Sequence, residues 1–219
     1  MSSLILDTET SDTENAEVLS LAWAASPFHE SEAQMVFFKP SRPIKFGALA
    51  VHHILEEDLA GSRPSSEAPG VAPKVDYWIG HNIDFDWRVM GEPPVKRICT
   101  LALSRSLWPE LDAHNLSAVA YYVLGATPET RALLRSAHNA LADVLICSKI
   151  LDVIVKVLRV TDERQLWELS EEARIPKIMT FGKHKGKPIS DVDRGYANWY
   201  RRQEDTDPYL LEAFKRARI

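Results

Sequence analysis

The chain has 219 residues, is 45% hydrophobic and 26% charged, and carries a net charge of −5. That length suits one large domain, or one of about 150 residues with a small appendage, and the composition is that of an ordinary soluble globular protein. No apolar run approaches the ~20 residues that span a bilayer, so no membrane-spanning helix is expected.

The start, MSSLILDTET, has no basic segment leading into an apolar core and is not read as a signal peptide. Cys99 and Cys147 are the only cysteines, neither in a CxxC nor beside a ligand-like histidine. Two buried, reduced thiols in a cytoplasmic protein are therefore expected. The charge is uneven: residues 1–173 have a balance of −10 and residues 174–219 a balance of +5. An acidic body with a basic tail suits a phosphate-backbone substrate.

The first forty residues predict three strands, Ser3–Asp7, Val18–Ala25 and Met35–Phe38. SDTENAE and SPFHESE between them are polar and of hairpin-connection length, so the three should run antiparallel. Ala48–Ile54 and Leu55–Ala60 suggest short helical pieces. Gly61–Pro73, rich in proline, glycine and serine, predicts a surface loop outside the core. Val75–Gly80 is a fourth strand, and Asn82 caps a helix beginning near Asp84. Val95–Thr100 is a fifth strand leading into a helix over Leu101–Trp108. Leu116–Leu124 follows as a helix. Ala140–Leu158, apolar on a 3.6-residue period with no proline or glycine, is the clearest helix of all. Asp162–Ala173 is a short amphipathic helix with Pro176 soon after it, and the domain boundary is placed there. The expected fold is α/β, a mixed five-stranded sheet flanked by helices over residues 1–173, with a small basic domain over residues 174–219.

Four acids and one histidine stand out within this order. Asp7 and Glu9 obey the two-residue period of a strand, so both carboxylates point to one face. Asp86 lies one turn into the helix after the fourth strand, at the sheet end where ligand sites collect. Asp84 is its competitor: on a helix the two sit about 200° apart, so only one can face the site. His138 and Asp143, if both helical, would project about 140° apart. The better arrangement makes Asn139 the N-cap, puts Asp143 in the first turn and leaves His138 on the preceding loop. Converging carboxylates and a nearby base are what metal-assisted phosphodiester hydrolysis needs.

DTET, HNxxFD and HxxxxD, in this order, resemble the motifs of the DEDDh exonucleases, in the ribonuclease-H-like superfamily. The sister branch carries Tyr four residues before its last Asp. Here that position is Asn139, which indicates the His branch. The resemblance implies a ribonuclease-H-like sheet. It assigns Asp7, Glu9 and Asp143 as metal ligands, Asp86 as the acid of the second ion (directly or through water), and His138 as general base. It also selects Asp86 over Asp84, since the motif acid follows the phenylalanine. RPIKFGALAVHHI, RICTLALSRSLWPELDAHNLSAVA and IMTFGKHKGKPISDV are similar to segments of one family member, C-terminal extension included, so the resemblance covers nearly the whole chain. Two departures occur. The family usually has Gly soon after DTET, where this chain reads Ser11-Asp12, and a Glu common in the second strand is here Ser20. Neither falls on a catalytic position, but both bear on how a terminal nucleotide is seated.

All-oxygen ligands favour two Mg²⁺ or Mn²⁺ ions over zinc, and histidine is the side chain that titrates nearest neutral pH. Thr8, Thr10, His52, Asn82 and Phe85 are candidate substrate contacts. His52 matches the family position that meets the terminal nucleotide, whereas His53 reads as a surface neighbour and Phe85 equally suits core packing. In FGKHKGK, Lys183, Lys185 and Lys187 surround two glycines, a phosphate-contacting pattern without Walker spacing. The expected activity is 3′→5′ hydrolysis of DNA with a free 3′ end to 5′ mononucleotides. The alternatives are an RNA exonuclease of the same fold, or a non-catalytic nucleic-acid-binding or polymerase accessory module. Loss of one of the five site residues would mark a non-catalytic module, and none is lost.

Overall fold

The computed structural model describes residues 2–26, 33–135 and 137–219. Most of the turn expected over SPFHESE, residues 27–32, lies outside the described residues, as does Met1. The chain divides into two compact units, Met1–Ser170 and Glu171–Ile219.

In the first unit, β1 (Ser3–Thr10), β2 (Val18–Ala25) and β3 (Gln34–Lys39) form the antiparallel meander. After α1 (Phe46–His52), a two-residue β4 (Arg63–Pro64) joins the far edge. β5 (Tyr77–Gly80) and β6 (Lys96–Cys99) extend the other side in parallel, giving the order β4-β3-β2-β1-β5-β6. The sheet is mixed, as expected, with six strands because the edge pair at β4 is added. Leu4, Ile5 and Leu6 on β1 are all buried, the pattern of a central strand covered on both faces.

The added strand corrects the reading of Gly61–Pro73 as a surface excursion. Arg63–Pro64 lines an edge, where proline's missing N–H is tolerated. The following 3₁₀ turn, Ser65–Gly70, buries Ser65 and Ala68. The Ser65 hydroxyl donates to the Val18 carbonyl at 2.7 Å, satisfying a buried acceptor on β2.

The helices are α2 (Ile83–Val89), α3 (Thr100–Leu107), α4 (Leu116–Leu124), α5 (Pro128–Leu134) and α6 (Ala140–Leu158). The sequence reading missed α5, although Thr127 caps it through the Thr130 N–H and Pro128 opens its first turn. On α6, Ala140, Asp143, Val144, Cys147, Ile150 and Leu151 share a buried stripe that packs across β1 and β2. Cys99 and Cys147 are free and buried. No helix among the described residues is long and apolar enough to cross a membrane.

The division between units falls inside α7 (Glu163–Ala173), just upstream of the boundary placed after Ala173. The second unit has α8 (Arg194–Tyr200) and α9 (Pro208–Arg216), capped by Asp193 and Asp207. Its own core is built from Met179, Ile189, Tyr196, Tyr200, Leu210 and Phe214, among others.

Candidate active site

Asp7 and Glu9 leave the same face of β1, and α6 crosses that face, delivering Asp143 from its first turn. One carboxylate oxygen from each of the three lies within 4.8 Å of the others. Glu9 and Asp143 are buried and Asp7 is half-buried. The β1–β2 register shifts between Glu9 and Thr10, a bulge beside the carboxylates that re-aims the strand end. Ser20 is the cross-strand partner of Glu9. The departure from the family's glutamate thus sits directly opposite a site acid.

Asp86 comes from α2 and is 4% exposed. Its Oδ1 accepts from the Thr8 N–H at 3.0 Å and from the Thr8 hydroxyl at 2.7 Å. Asp84 turns the other way and pairs with Arg97 at 2.5 Å, so the helix presents Asp86 and not Asp84 to the site. Asp86 stands outside the three-carboxylate group, held against β1 by Thr8.

The electrostatics are those of crowded, desolvated carboxylates. Burial pushes Glu9 up to about 8, with Asp143 and Asp86 adding repulsion. Burial likewise raises Asp86 to about 7 and Asp143 to about 6, and lifts Asp7 well above the ordinary range, helped by its three acidic neighbours. None of the ion pairs among the described residues involves these four acids. Packed oxygen ligands with uncompensated charge fit a hard divalent cation.

Asn139 caps α6 through the Leu141 and Ala142 N–H groups. His138, exposed and at φ 67, lies just before it. Its main-chain N–H donates to both Asp143 oxygens at 3.3 Å.

The candidate substrate contacts separate. The Thr8 hydroxyl is committed to Asp86, and that of Thr10 to the Asp12 carbonyl at 2.8 Å. His52 is buried. It is 8% exposed, its Nδ1 accepts from the Ile54 N–H at 2.9 Å, and burial lowers its pKa. His53 is exposed beside it. Asn82 occupies the cap position of α2 in a left-handed conformation but makes no side-chain cap bond, which corrects the capping expectation. Its side chain is exposed, and Phe85 is half-buried. Lys183, Lys185 and Lys187 belong to the second unit and are exposed there.

Two residues escaped the sequence reading. His81 donates from Nε2 to the His114 carbonyl at 2.7 Å, with the Thr100 hydroxyl 3.0 Å from Nδ1. Burial drives its pKa down to about 4, so it is a neutral brace at the turn that delivers Asp86. Phe46 is 86% exposed at the start of α1. The preceding Lys45 N–H donates to the Ser11 carbonyl at 2.9 Å, which ties the start of α1 to the segment after Glu9. An exposed aromatic has no pattern to betray it in sequence.

A mixed sheet with acids at the end of its central strand, an acid from each of two helices and a histidine before the last defines a ribonuclease-H-like exonuclease fold. No family model matches the chain. The exodeoxyribonuclease 10 proteins of Escherichia coli strains K12 and O6:H1 are each 32% identical over 203 residues, covering 89% of this chain and 88% of theirs. A structure of exonuclease X in complex with 5′-overhanging duplex DNA matches with a TM-score of 0.63 at 26% identity, over 77% of this chain and 99% of that one. The zinc-bound E. coli exonuclease I–single-stranded DNA complex shares the fold, with a TM-score of 0.57 at 17% identity over 80% of this chain and 43% of that one. The chain belongs to the exodeoxyribonuclease X family of metal-dependent DNA exonucleases.

Proposed function

We propose that the protein hydrolyses DNA from a free 3′ end and releases 5′ mononucleotides, using two divalent cations, Mg²⁺ or Mn²⁺. The observation that carries this reading is the convergence of Asp7, Glu9 and Asp143 within 4.8 Å, with Asp86 behind them. Asp7, Glu9 and Asp143 would hold one cation, and Asp86 would help hold the second. When bound, the cations supply Lewis-acid activation of water and stabilise charge on the leaving oxygen. Thr8 fixes Asp86 in place, so its carboxylate need not reorganise. The Asp143 carboxylate anchors the His138 main chain, leaving the exposed imidazole free to take a proton from water. The water oxygen bonds to phosphorus as the P–O3′ bond breaks, which leaves a 3′-hydroxyl on the shortened strand.

The test is digestion of 5′-labelled DNA and RNA of matched sequence with Mg²⁺, with and without chelator. A ladder shortening from the 3′ end of DNA, abolished by chelator and by Asp143→Ala, is expected. Release of label as a mononucleotide at the outset would mean the opposite polarity, and preferential digestion of RNA would overturn the DNA reading.

A further inference from the structure

The proposed chemistry uses no residue of Glu171–Ile219, yet the surface of that unit is specialised. On α8, Tyr196 and Tyr200 are buried in the small core, while Trp199 on the same helix is 52% exposed with its ring 5.2 Å from Tyr196. Phe181, 42% exposed, packs against Tyr200 at 5.9 Å. The Lys183 ammonium lies 5.4 Å from the Tyr196 ring. Two exposed rings and a lysine therefore share one foundation, the Tyr196–Tyr200 pair.

The lysine turn beside them is held in shape. Buried His184 packs edge-on against Tyr196 and its Nε2 lies 2.9 Å from the Asp193 carboxylate. Gly182 has φ +66, and a Cβ there would meet the Tyr196 hydroxyl at 2.6 Å, so only glycine fits. The Gly186 N–H donates to the Met179 carbonyl at 2.8 Å, and the Met179 N–H to the Lys187 carbonyl at 2.9 Å. Lys183 pairs with Asp193 at 3.2 Å. Lys185 and Lys187 are exposed and enter no ion pair among the described residues.

A merely solvated basic surface has no use for exposed tryptophan and phenylalanine, and an apolar protein-docking face has no use for a lysine turn held against the same tyrosine, Tyr196. Rings for base stacking beside cations for phosphates are the combination that single-stranded nucleic acid takes, whereas a duplex hides its base faces. We propose that the C-terminal unit binds single-stranded DNA, with Trp199 and Phe181 stacking on bases and Lys183, Lys185 and Lys187 contacting phosphates. This rests on the reading of the protein as a DNA exonuclease.

The test uses the full chain in chelator, so that nothing is digested. It measures anisotropy of a labelled oligothymidylate of about 30 nucleotides, longer than the ~4–16 of one single-strand site, against a blunt duplex. Trp199→Ala should weaken single-strand binding about tenfold at every salt concentration, Trp199→Phe should restore most of it, and duplex binding should not change. The triple variant Lys183→Gln, Lys185→Gln and Lys187→Gln should reduce the slope of log affinity against log salt by about 2. Unchanged affinity and slope in both variants would overturn the proposal, as would an equal loss on duplex in Trp199→Ala. Should Trp199→Ala lower the melting temperature, Trp199→Phe and the triple variant decide. If the wild type fails to digest DNA in Mg²⁺, the nuclease reading falls, while this binding result stands or falls separately.

Discussion

The main-chain N–H of His138 donates to both oxygens of the Asp143 carboxylate, 3.3 Å to each, and His138 itself adopts φ 67. The acid that would hold a cation thus also sets where the proposed base stands. Alanine is disfavoured in this left-handed conformation while asparagine tolerates it, so His138→Asn is the cleaner probe. Its turnover on 5′-labelled DNA should fall by ~10²–10⁴-fold, the usual worth of a general base, with DNA affinity and cation-induced stabilisation retained. Digestion at the wild-type rate would remove His138 from the mechanism.

The two hydrogen bonds from Thr8 to Asp86 Oδ1 predict a supporting role that activity alone would not reveal. Thr8→Val keeps the shape and the N–H but loses the hydroxyl. Cation affinity should fall by about 10–100-fold, as for other residues that orient metal ligands, and Thr8→Ser should recover most of it. A titration with Mn²⁺ followed by calorimetry separates these outcomes; equal affinities for wild type and Thr8→Val would show that the hydroxyl is dispensable.

Asp7 predicts metal-linked stability. A cation that binds only the folded protein adds about 2.7 kcal/mol at a hundredfold excess over Kd. Mg²⁺ or Mn²⁺ should raise the melting temperature of the wild type and raise that of Asp7→Ala much less. Equal shifts would place the binding elsewhere.

Burial raises Glu9 to about 8, Asp86 to about 7 and Asp143 to about 6, all above their unfolded values. The folded protein therefore holds protons that the unfolded chain has released. The associated stability is complete below about pH 4, where unfolded carboxylates are protonated. It is lost progressively as pH rises from about 4 to about 8, where the last of the three, Glu9, ionises in the folded protein. In chelator the melting temperature should fall across that window. Glu9→Gln should flatten the fall, and divalent cation should restore more stability at pH 8 than at pH 5. A wild-type profile that is flat in chelator, or no flatter in Glu9→Gln, would contradict the crowding of these acids.

Phe46, exposed at the start of the helix whose N-terminus is bonded to Ser11, is expected to contact substrate. Phe46→Ala should raise KM for DNA by roughly fivefold or more, the lower end of a lost stacking contact, with an unchanged melting temperature. An unchanged KM would leave the ring without a role in substrate contact.

What the sequence determined by itself rests on local periodicity and spacing. Two-residue alternation in LILDTET puts Asp7 and Glu9 on one face, and the structure keeps them there with Asp143. Asn139 caps α6 as its position before the apolar run implies, and the order of acids and histidine pointed to the right family. Those features depend on neighbours in the chain. Local spacing alone left Asp84 and Asp86 equivalent, because a helix offers both directions until its packing is known. Arg97, arriving from β6, takes Asp84, and Thr8 on β1 takes Asp86. The same holds for β4, where Pro64 is a loop residue by composition and an edge-strand residue only once β3 lies beside it. Buried His52, the His81 brace and the exposed ring of Phe46 are likewise decided by what comes to rest against each side chain. Burial and partnership are long-range properties, and tertiary packing alone assigns them.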